Sequence, residues 1–390
     1  MSTQLGKTHL EFYRQHQIAP VRYDLNDMQA HLERRASLYL KLGLPPLAFR
    51  SARVLEVAAG TGHNSLYLAH MMPAKLVLLE PNASGIEQIH AAYRTFPKSY
   101  TPPEVVTLML EDYQPAEDFD IVLCENWLGT TTHELSLMQK LSKMVASQGV
   151  LVVTTVSPIG FVPNLLRRFL AVYMAPLCKS FDQRTESLVQ AFGAHLDTLK
   201  AMTRNHVDWI HDNMINPAYF GLCLSIPQVI EQFGERFEVI GSSPSIAEDW
   251  RWFKGLYGVH RQLNQHFLSE YWSKAHNFLD YREPITLRNA ELNIELEQKA
   301  VELLQAIEAH EEAHASHCDI EACVNRVAAK LDHFIGFVPD HFNNAIRGLS
   351  EFRELIRSIS DGKPLPGMID FPGLFGRETA YLSLQRSQGK

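Results

Sequence analysis

Residues 53–62, Arg-Val-Leu-Glu-Val-Ala-Ala-Gly-Thr-Gly, constrain the fold more than any other stretch of this chain. Val54, Leu55 and Val57 make an apolar β-type run that ends in a small-residue turn, and residues 63–70 then read as the first turns of a helix. A strand–turn–helix of this kind brings backbone N–H groups and a helix N-terminus against a bound ligand. Gly60 and Gly62 permit the turn and a close approach that a Cβ would obstruct. Glu56 places a carboxylate beside the turn, which suits hydroxyl or ammonium donors better than a bare phosphate. Taken alone, the motif is that of a generic nucleotide loop.

A chain of 390 residues buries a large core as one big domain or two smaller ones. With 36 basic against 44 acidic residues its net charge is −8, which disfavours a general nucleic-acid binder. The first residues hold no apolar signal core and no run approaches a membrane span, so a cytoplasmic location is expected. The five cysteines are scattered and read as reduced thiols.

From 52 to 156 strand and helix patterns alternate. Strands are expected at 52–58, 75–80, 104–110, 119–124 and 149–156, and helices at 63–72, 82–95 and 131–147. Such alternation predicts an α/β fold: a Rossmann-like, doubly wound, mostly parallel sheet covered on both faces. A helical N-terminal segment, 1–50, precedes a core at 51–158. A helical substrate or lid region at 159–236 follows, then strands within 237–245 and 377–387 that pair and close the sheet. Residues 246–376 are read as a large helical insertion between those two strands.

Acidic residues fall where successive strands end. Glu56 lies in the first turn, Glu80 ends the second strand, Asp112 follows the third and Glu125 ends the fourth. A carboxylate at the second strand end accepts from both hydroxyls of a ribose, and one after the third can accept from an exocyclic adenine amine. With Leu78-Leu79-Glu80-Pro81, Glu111-Asp112-Tyr113, Phe119–Val122 before Glu125-Asn126, and Gly149–Thr155, the chain resembles the class I S-adenosylmethionine-dependent methyltransferases. The resemblance covers roughly residues 50–156.

That resemblance implies S-adenosyl-L-methionine as cofactor, with Glu56, Ala58, Gly60, Gly62, Glu80, Asp112, Tyr113 and Glu125 around it. Gly60 and Gly62 would line its methionine and ribose portion, Glu80 would take the ribose hydroxyls, and Asp112 the adenine amine with Tyr113 nearby. Ala58 departs from the pattern, which has glycine there. A nicotinamide enzyme is the nearest alternative; it is disfavoured because Ala58–Gly62 lacks the spaced G-x-G-x-x-G. Methyl transfer needs an aligned nucleophile, exclusion of water and, for some acceptors, a base. Glu125 is the first base candidate and His133 the second, while Asn126 and Trp127 are placed to position substrate.

Of the five tryptophans, Trp209, Trp250, Trp252 and Trp272 lie between 209 and 272. Trp250 and Trp252, in Asp249-Trp250-Arg251-Trp252, are expected to contact the acceptor, because charge interleaved with aromatics is untypical of a core. The polar group His206, Asp208, His211 and Asp212 reads as a solvated helix face. His310, His314 and His317 share one helix face that continues the stripe Leu292, Leu296, Leu303 and Ile307. Their spacing, with Cys318 and Cys323, matches no standard zinc motif, and no metal is assigned. The acceptor is expected to be a small molecule or glycan. A protein acceptor, and a binding protein without catalysis, remain as alternatives.

Overall fold

Among the described residues seven strands assemble in the order β3-β2-β1-β4-β5-β7-β6. The computed structural model describes residues 9–19, 22–126, 133–200, 202, 204–217, 224–362 and 367–387. The strands are β1 Arg53–Val57, β2 Lys75–Leu79, β3 Glu104–Val106, β4 Phe119–Cys124, β5 Val145–Val156, β6 Phe237–Ser243 and β7 Thr379–Arg386. β1 runs parallel to both β2 and β4, β3 parallel to β2, and β5 parallel to β4. The chain therefore leaves β1 toward one side of the sheet and returns on its other side at β4. That reversal opens a crevice at the carboxyl ends of β1 and β4, where open α/β sheets bind ligands. β6 and β7 pair antiparallel, the pairing expected from their sequence patterns.

Both faces of the central strands are buried, which is why they read as continuous apolar runs. On one face Val54, Leu76, Leu78, Ile121, Leu123, Val150 and Val152 join a cluster with Tyr39, Phe49, Leu66, Tyr67, Ile89 and Tyr93. Those partners come from α2 (Met28–Lys41), α3 (Pro46–Phe49), α4 (Ser65–His70) and α5 (Ala83–Thr95). The alternate residues Leu55, Val57, Val77, Val122 and Leu151 are buried on the opposite face. α1 (His9–His16) precedes these helices, and α6 (His133–Lys143) links β4 to β5.

Three boundaries differ clearly from the sequence reading. β3 stops at Val106 and Leu108 is exposed, so the apolar run to 110 continues past the paired segment. The helix expected to reach 147 ends at Lys143, and β5 starts at Val145 instead of 149. Phe119 pairs with Val145 but Ile121 pairs with Val150, a bulge that takes up the additional residues. Gly149 makes that bulge possible, since a Cβ there would lie 2.9 Å from the carbonyl oxygens of both Ala146 and Asp120.

The chain divides into two compact units. The sheet unit comprises Met1–Thr155, Gly221–Leu268 and Thr379–Lys390, and the helical unit comprises Val156–Phe220 and Ser269–Glu378. Residues 246–268, read from sequence as part of the insertion, thus cluster with the sheet. So does α10 (Ile226–Phe233), which carries buried Ile226, Val229, Ile230 and Phe233.

Within the helical unit, α7 (Pro158–Met174) is buried nearly all round, and α12 (Ala290–Ser316) packs against it and against α13 (Ile320–Ile335). Arg167 of α7 is fully buried yet donates to the carbonyls of Pro163, Leu374, Phe371 and Pro372 and stacks 3.7 Å from the Phe375 ring centroid. These acceptors replace the water a buried guanidinium loses. Burial still pushes its pKa down to about 9.

The polar group at 206–212 is not the solvated face expected from its composition. Asp208, His211 and Asp212 are buried at α9 (His206–Ile210) and the π-helical turn His211–Ile215. Arg204 pairs with Asp212, and the His211 ring meets the Thr185 hydroxyl at 3.1 Å. The histidine stripe of α12 is packing too. His310 is fully buried, stacks 4.3 Å from Phe169 and meets the Tyr173 hydroxyl at 2.8 Å, and burial lowers its pKa to about 3. His317 takes the left-handed conformation that caps the helix. Among the described residues no group of three or more His, Cys, Asp or Glu side chains is placed to hold a metal.

Candidate functional site

Strand register brings the carboxylates together. Glu56 pairs with Leu78 of β2 and Leu123 of β4. Two residues beyond those partners lie Glu80 and Glu125, so Glu56, near the end of β1, and the two carboxylates just past β2 and β4 lie on the same side of the sheet at its carboxyl edge. Each is buried. The central one bears the consequence: burial, then Glu125, then Glu80 raise the Glu56 pKa to about 8, with Arg35 opposing. Its Oε2 is fully shielded and has no hydrogen-bond partner among the described residues.

Glu80 is held by the turn itself. Its Oε2 accepts from the Gly60 N–H at 2.7 Å and its Oε1 from the Asn82 N–H at 2.8 Å. Burial nevertheless lifts its pKa to about 7. Each oxygen keeps a further lone pair, so the carboxylate is oriented without being exhausted.

The turn needs left-handed backbone at three places. Ala58, Gly60 and Gly62 have φ of 58°, 57° and 73°. The alanine thus occupies a conformation that costs an L residue about 1 kcal/mol. The Ala58 N–H secures it by donating to Leu79 O at 2.9 Å. From behind, α5 presses on the turn. A Cβ on Gly85 would lie 2.7 Å from Gly60 O, and one on Gly62 would lie 2.7 Å from the Ile89 Cγ1.

N-terminal residues close over this turn. The Tyr23 N–H donates to His63 Nδ1 at 3.1 Å, and His31 Nε2 lies 2.9 Å from His63 O. Burial, followed by the charge of His31, lowers the His63 pKa to about 4, which leaves Nδ1 free to accept. Arg14 donates to Pro81 O at 3.0 Å and Asn82 Nδ2 to Ile18 O at 3.1 Å.

Glu125 is engaged from α2. Asp27 caps that helix, and His31, Leu32, Arg35 and Tyr39 form its buried stripe. Arg35 Nη2 lies 2.7 Å from both Glu125 oxygens, and the Tyr39 hydroxyl donates to Oε1 at 2.8 Å. Just past it Asn126 has φ of 56°; its N–H donates to Thr154 Oγ1 at 2.9 Å and its Nδ2 to the Tyr381 hydroxyl at 3.3 Å. Burial pushes the Tyr381 phenol well above its ordinary range.

Other expected residues are more open. Asp112 is exposed, its N–H bonded to Met109 O at 3.1 Å; Tyr113 is half-buried, and burial raises its hydroxyl pKa. Trp250 and Trp252 are exposed on the segment after β6. Trp127 and the side chain of His133 lie outside the described residues; the His133 backbone opens α6. Sequence reasoning missed Arg35, Tyr39, Asn82 and Tyr381. For Arg35 and Tyr39 a signal existed: a cation and a phenol four apart within the apolar stripe of a helix.

Residues 28–198 match the family model described as a methyltransferase domain. Among solved structures, the N-methyltransferase NodS from Bradyrhizobium japonicum WM9 in complex with S-adenosyl-L-homocysteine is 15% identical, with a TM-score of 0.32 over 58% of this chain and 84% of that one. DhpI in complex with S-adenosyl-L-homocysteine is 22% identical, with a TM-score of 0.30 over 40% and 72%. The CcbJ methyltransferase from Streptomyces caelestis is 15% identical, with a TM-score of 0.28 over 33% and 50%. No curated protein matches the chain.

Proposed function

We propose, from the match of residues 28–198 to a methyltransferase domain, that the chain is an S-adenosylmethionine-dependent methyltransferase acting on a small or modest-sized acceptor at the exit of β4. The observation that carries the reading is Glu56, a buried carboxylate beside the turn whose Oε2 has no partner among the described residues. The cofactor's ammonium group would supply the missing donor and favour the ionised form. Glu80, already oriented by two backbone N–H groups, would receive the ribose hydroxyls on its remaining lone pairs. Ala58, Gly60 and Gly62 would line the methionine and ribose portion, and Asp112 and Tyr113 the adenine.

When bound, the cofactor supplies an electrophilic methyl group on a positively charged sulfur with a neutral thioether as leaving group. The protein's part is alignment and exclusion of water. In this reading the Asn126 amide and the Tyr381 hydroxyl orient the acceptor, and Trp127 remains a substrate contact expected from the sequence. Glu125, both of whose oxygens face Arg35, is a positioning residue that fixes α2 against the β4 exit. A hydroxyl acceptor, on a glycan or another metabolite, is the proposed target, and His133 at the start of α6 the proposed proton acceptor.

That commitment of Glu125 also favours a second reading, in which the chain binds the cofactor without transferring its methyl group. Calorimetric titration with S-adenosylmethionine tests the shared premise: E80A should weaken binding at least about ten-fold, or ~1.4 kcal/mol. Unchanged affinity refutes the ribose assignment. Incubation with radiolabelled cofactor and fractionated lysate then separates the readings. Label in the small-molecule or glycan fraction is expected; label on protein alone overturns the acceptor class. Tight binding with no transfer supports the second reading.

A further inference from the structure

After β6 the chain exposes an unusual run of large apolar side chains. Trp250 is 88% exposed, Val259 77%, Trp252 and Phe253 69% each, and Tyr257 68%. They stand on ordered backbone. Phe253–Gly255 and Gly258–His260 are 3₁₀ turns, and Asp249 holds Arg251 through a 2.6 Å ion pair. Isolated surface hydrophobics need no explanation, but five within ten residues form a patch that water alone covers poorly.

Charge indicates what covers it. Residues 250–262 contain Arg251, Lys254 and Arg261; Asp249 and Glu238 neutralise the two arginines, which leaves Lys254 as the cation without an ion pair among the described residues. Glu238 holds Arg261 at 2.7 Å, and Lys254 Nζ lies 5.6 Å from the Trp252 ring centroid. Rings with an apolar body and a polar edge, interleaved with cations, suit the boundary between lipid headgroups and acyl chains. We propose that residues 250–260 dock this protein reversibly onto an anionic lipid bilayer, with Trp250, Trp252 and Phe253 inserted at the interface and Lys254 meeting lipid phosphates.

The position of the segment gives the docking a consequence. Ser243, the last residue of β6, pairs with Tyr381, whose hydroxyl accepts from Asn126 at the β4 exit. The segment therefore issues from the edge of the sheet that carries the candidate site. A bilayer bound there brings that edge to the headgroup layer. Docking itself does not depend on the methyl-transfer reading.

Sedimentation of the full chain with phosphatidylcholine vesicles, with and without phosphatidylglycerol, tests the proposal. Binding is expected on the anionic vesicles, weakened by salt. W250A/W252A should lower the bound fraction at least about ten-fold with an unchanged melting temperature, and K254E should lower it several-fold. Wild-type protein that stays in solution with anionic vesicles overturns the proposal, as does W250A/W252A partitioning like wild type. A homodimer lost in W250A/W252A, without vesicle binding, assigns the patch to a second copy and likewise overturns it.

Discussion

Arg35 and Glu125, 90 residues apart in sequence, form a buried ion pair in which one guanidinium nitrogen lies 2.7 Å from both carboxylate oxygens. The pair closes α2 onto the end of β4, and Tyr39, one turn beyond Arg35, donates a third bond into it. A buried pair of this kind contributes less through attraction than through the penalty for removing one member.

E125A should therefore destabilise the protein by about 3–5 kcal/mol, because Arg35 keeps its buried charge without a partner. R35M/E125L, with both charges gone, should recover most of that loss. Urea denaturation of R35M, E125L and the double variant measures the coupling. Additive single effects would show that the two groups do not act together.

The elevated pKa of Glu56, about 8 against the ordinary 4.5, makes stability fall with pH. The folded state holds a proton that the unfolded state releases, so this contribution is complete below about pH 4.5 and is lost as pH rises to about 8. Melting temperatures of the ligand-free protein should decline across that window more steeply than those of E56Q.

Ammonium binding requires the ionised form of Glu56, so cofactor binding near pH 7 should release up to about one proton from this group. Calorimetry in buffers of different ionisation enthalpy counts the protons, and E56Q should remove most of the release. An identical count in E56Q would place the ammonium elsewhere.

Gly85 lies outside the glycine turn, yet its Cα faces Gly60 O and the Glu80 side chain. G85A should cost about 1–3 kcal/mol by overpacking. It should also weaken S-adenosylmethionine binding, because the carbonyl that must move belongs to the turn. Chemical denaturation and titration calorimetry read the two effects separately.

At Ala58 the opposite change should help. A58G relieves the left-handed strain at φ 58° and should stabilise the fold by roughly 0.5–1 kcal/mol, the glycine's greater unfolded-state freedom offsetting part of the gain. A lower midpoint of denaturation in A58G would show that the alanine methyl contributes packing that outweighs its strain.

Much of the sheet was readable because its central strands are buried on both faces and its helices on one, so the two periods alternate clearly from 52 to 156. Boundaries failed where local patterns meet a tertiary constraint. Val145–Gln148 continues a helical pattern, but pairing with β4 draws it into a bulged strand. The polar residues at 206–212 resemble a solvated face, yet Arg204 and Thr185 supply partners that allow them to be buried. His310 extended an apolar stripe, and it is buried in a stack on Phe169.

By itself the sequence determined the alternation that builds the sheet and the place of Glu56, Glu80 and Glu125 at the ends of the first, second and fourth strands, because side-chain direction and strand length are local properties. Only the tertiary structure decided what surrounds each carboxylate. Glu56 is left with an oxygen unpartnered among the described residues, Glu80 is clasped by the turn, and Glu125 is claimed by Arg35 and Tyr39 from a helix far upstream. Burial and the fields of neighbouring charges set how each acid behaves, and both arise from packing between elements distant in the chain.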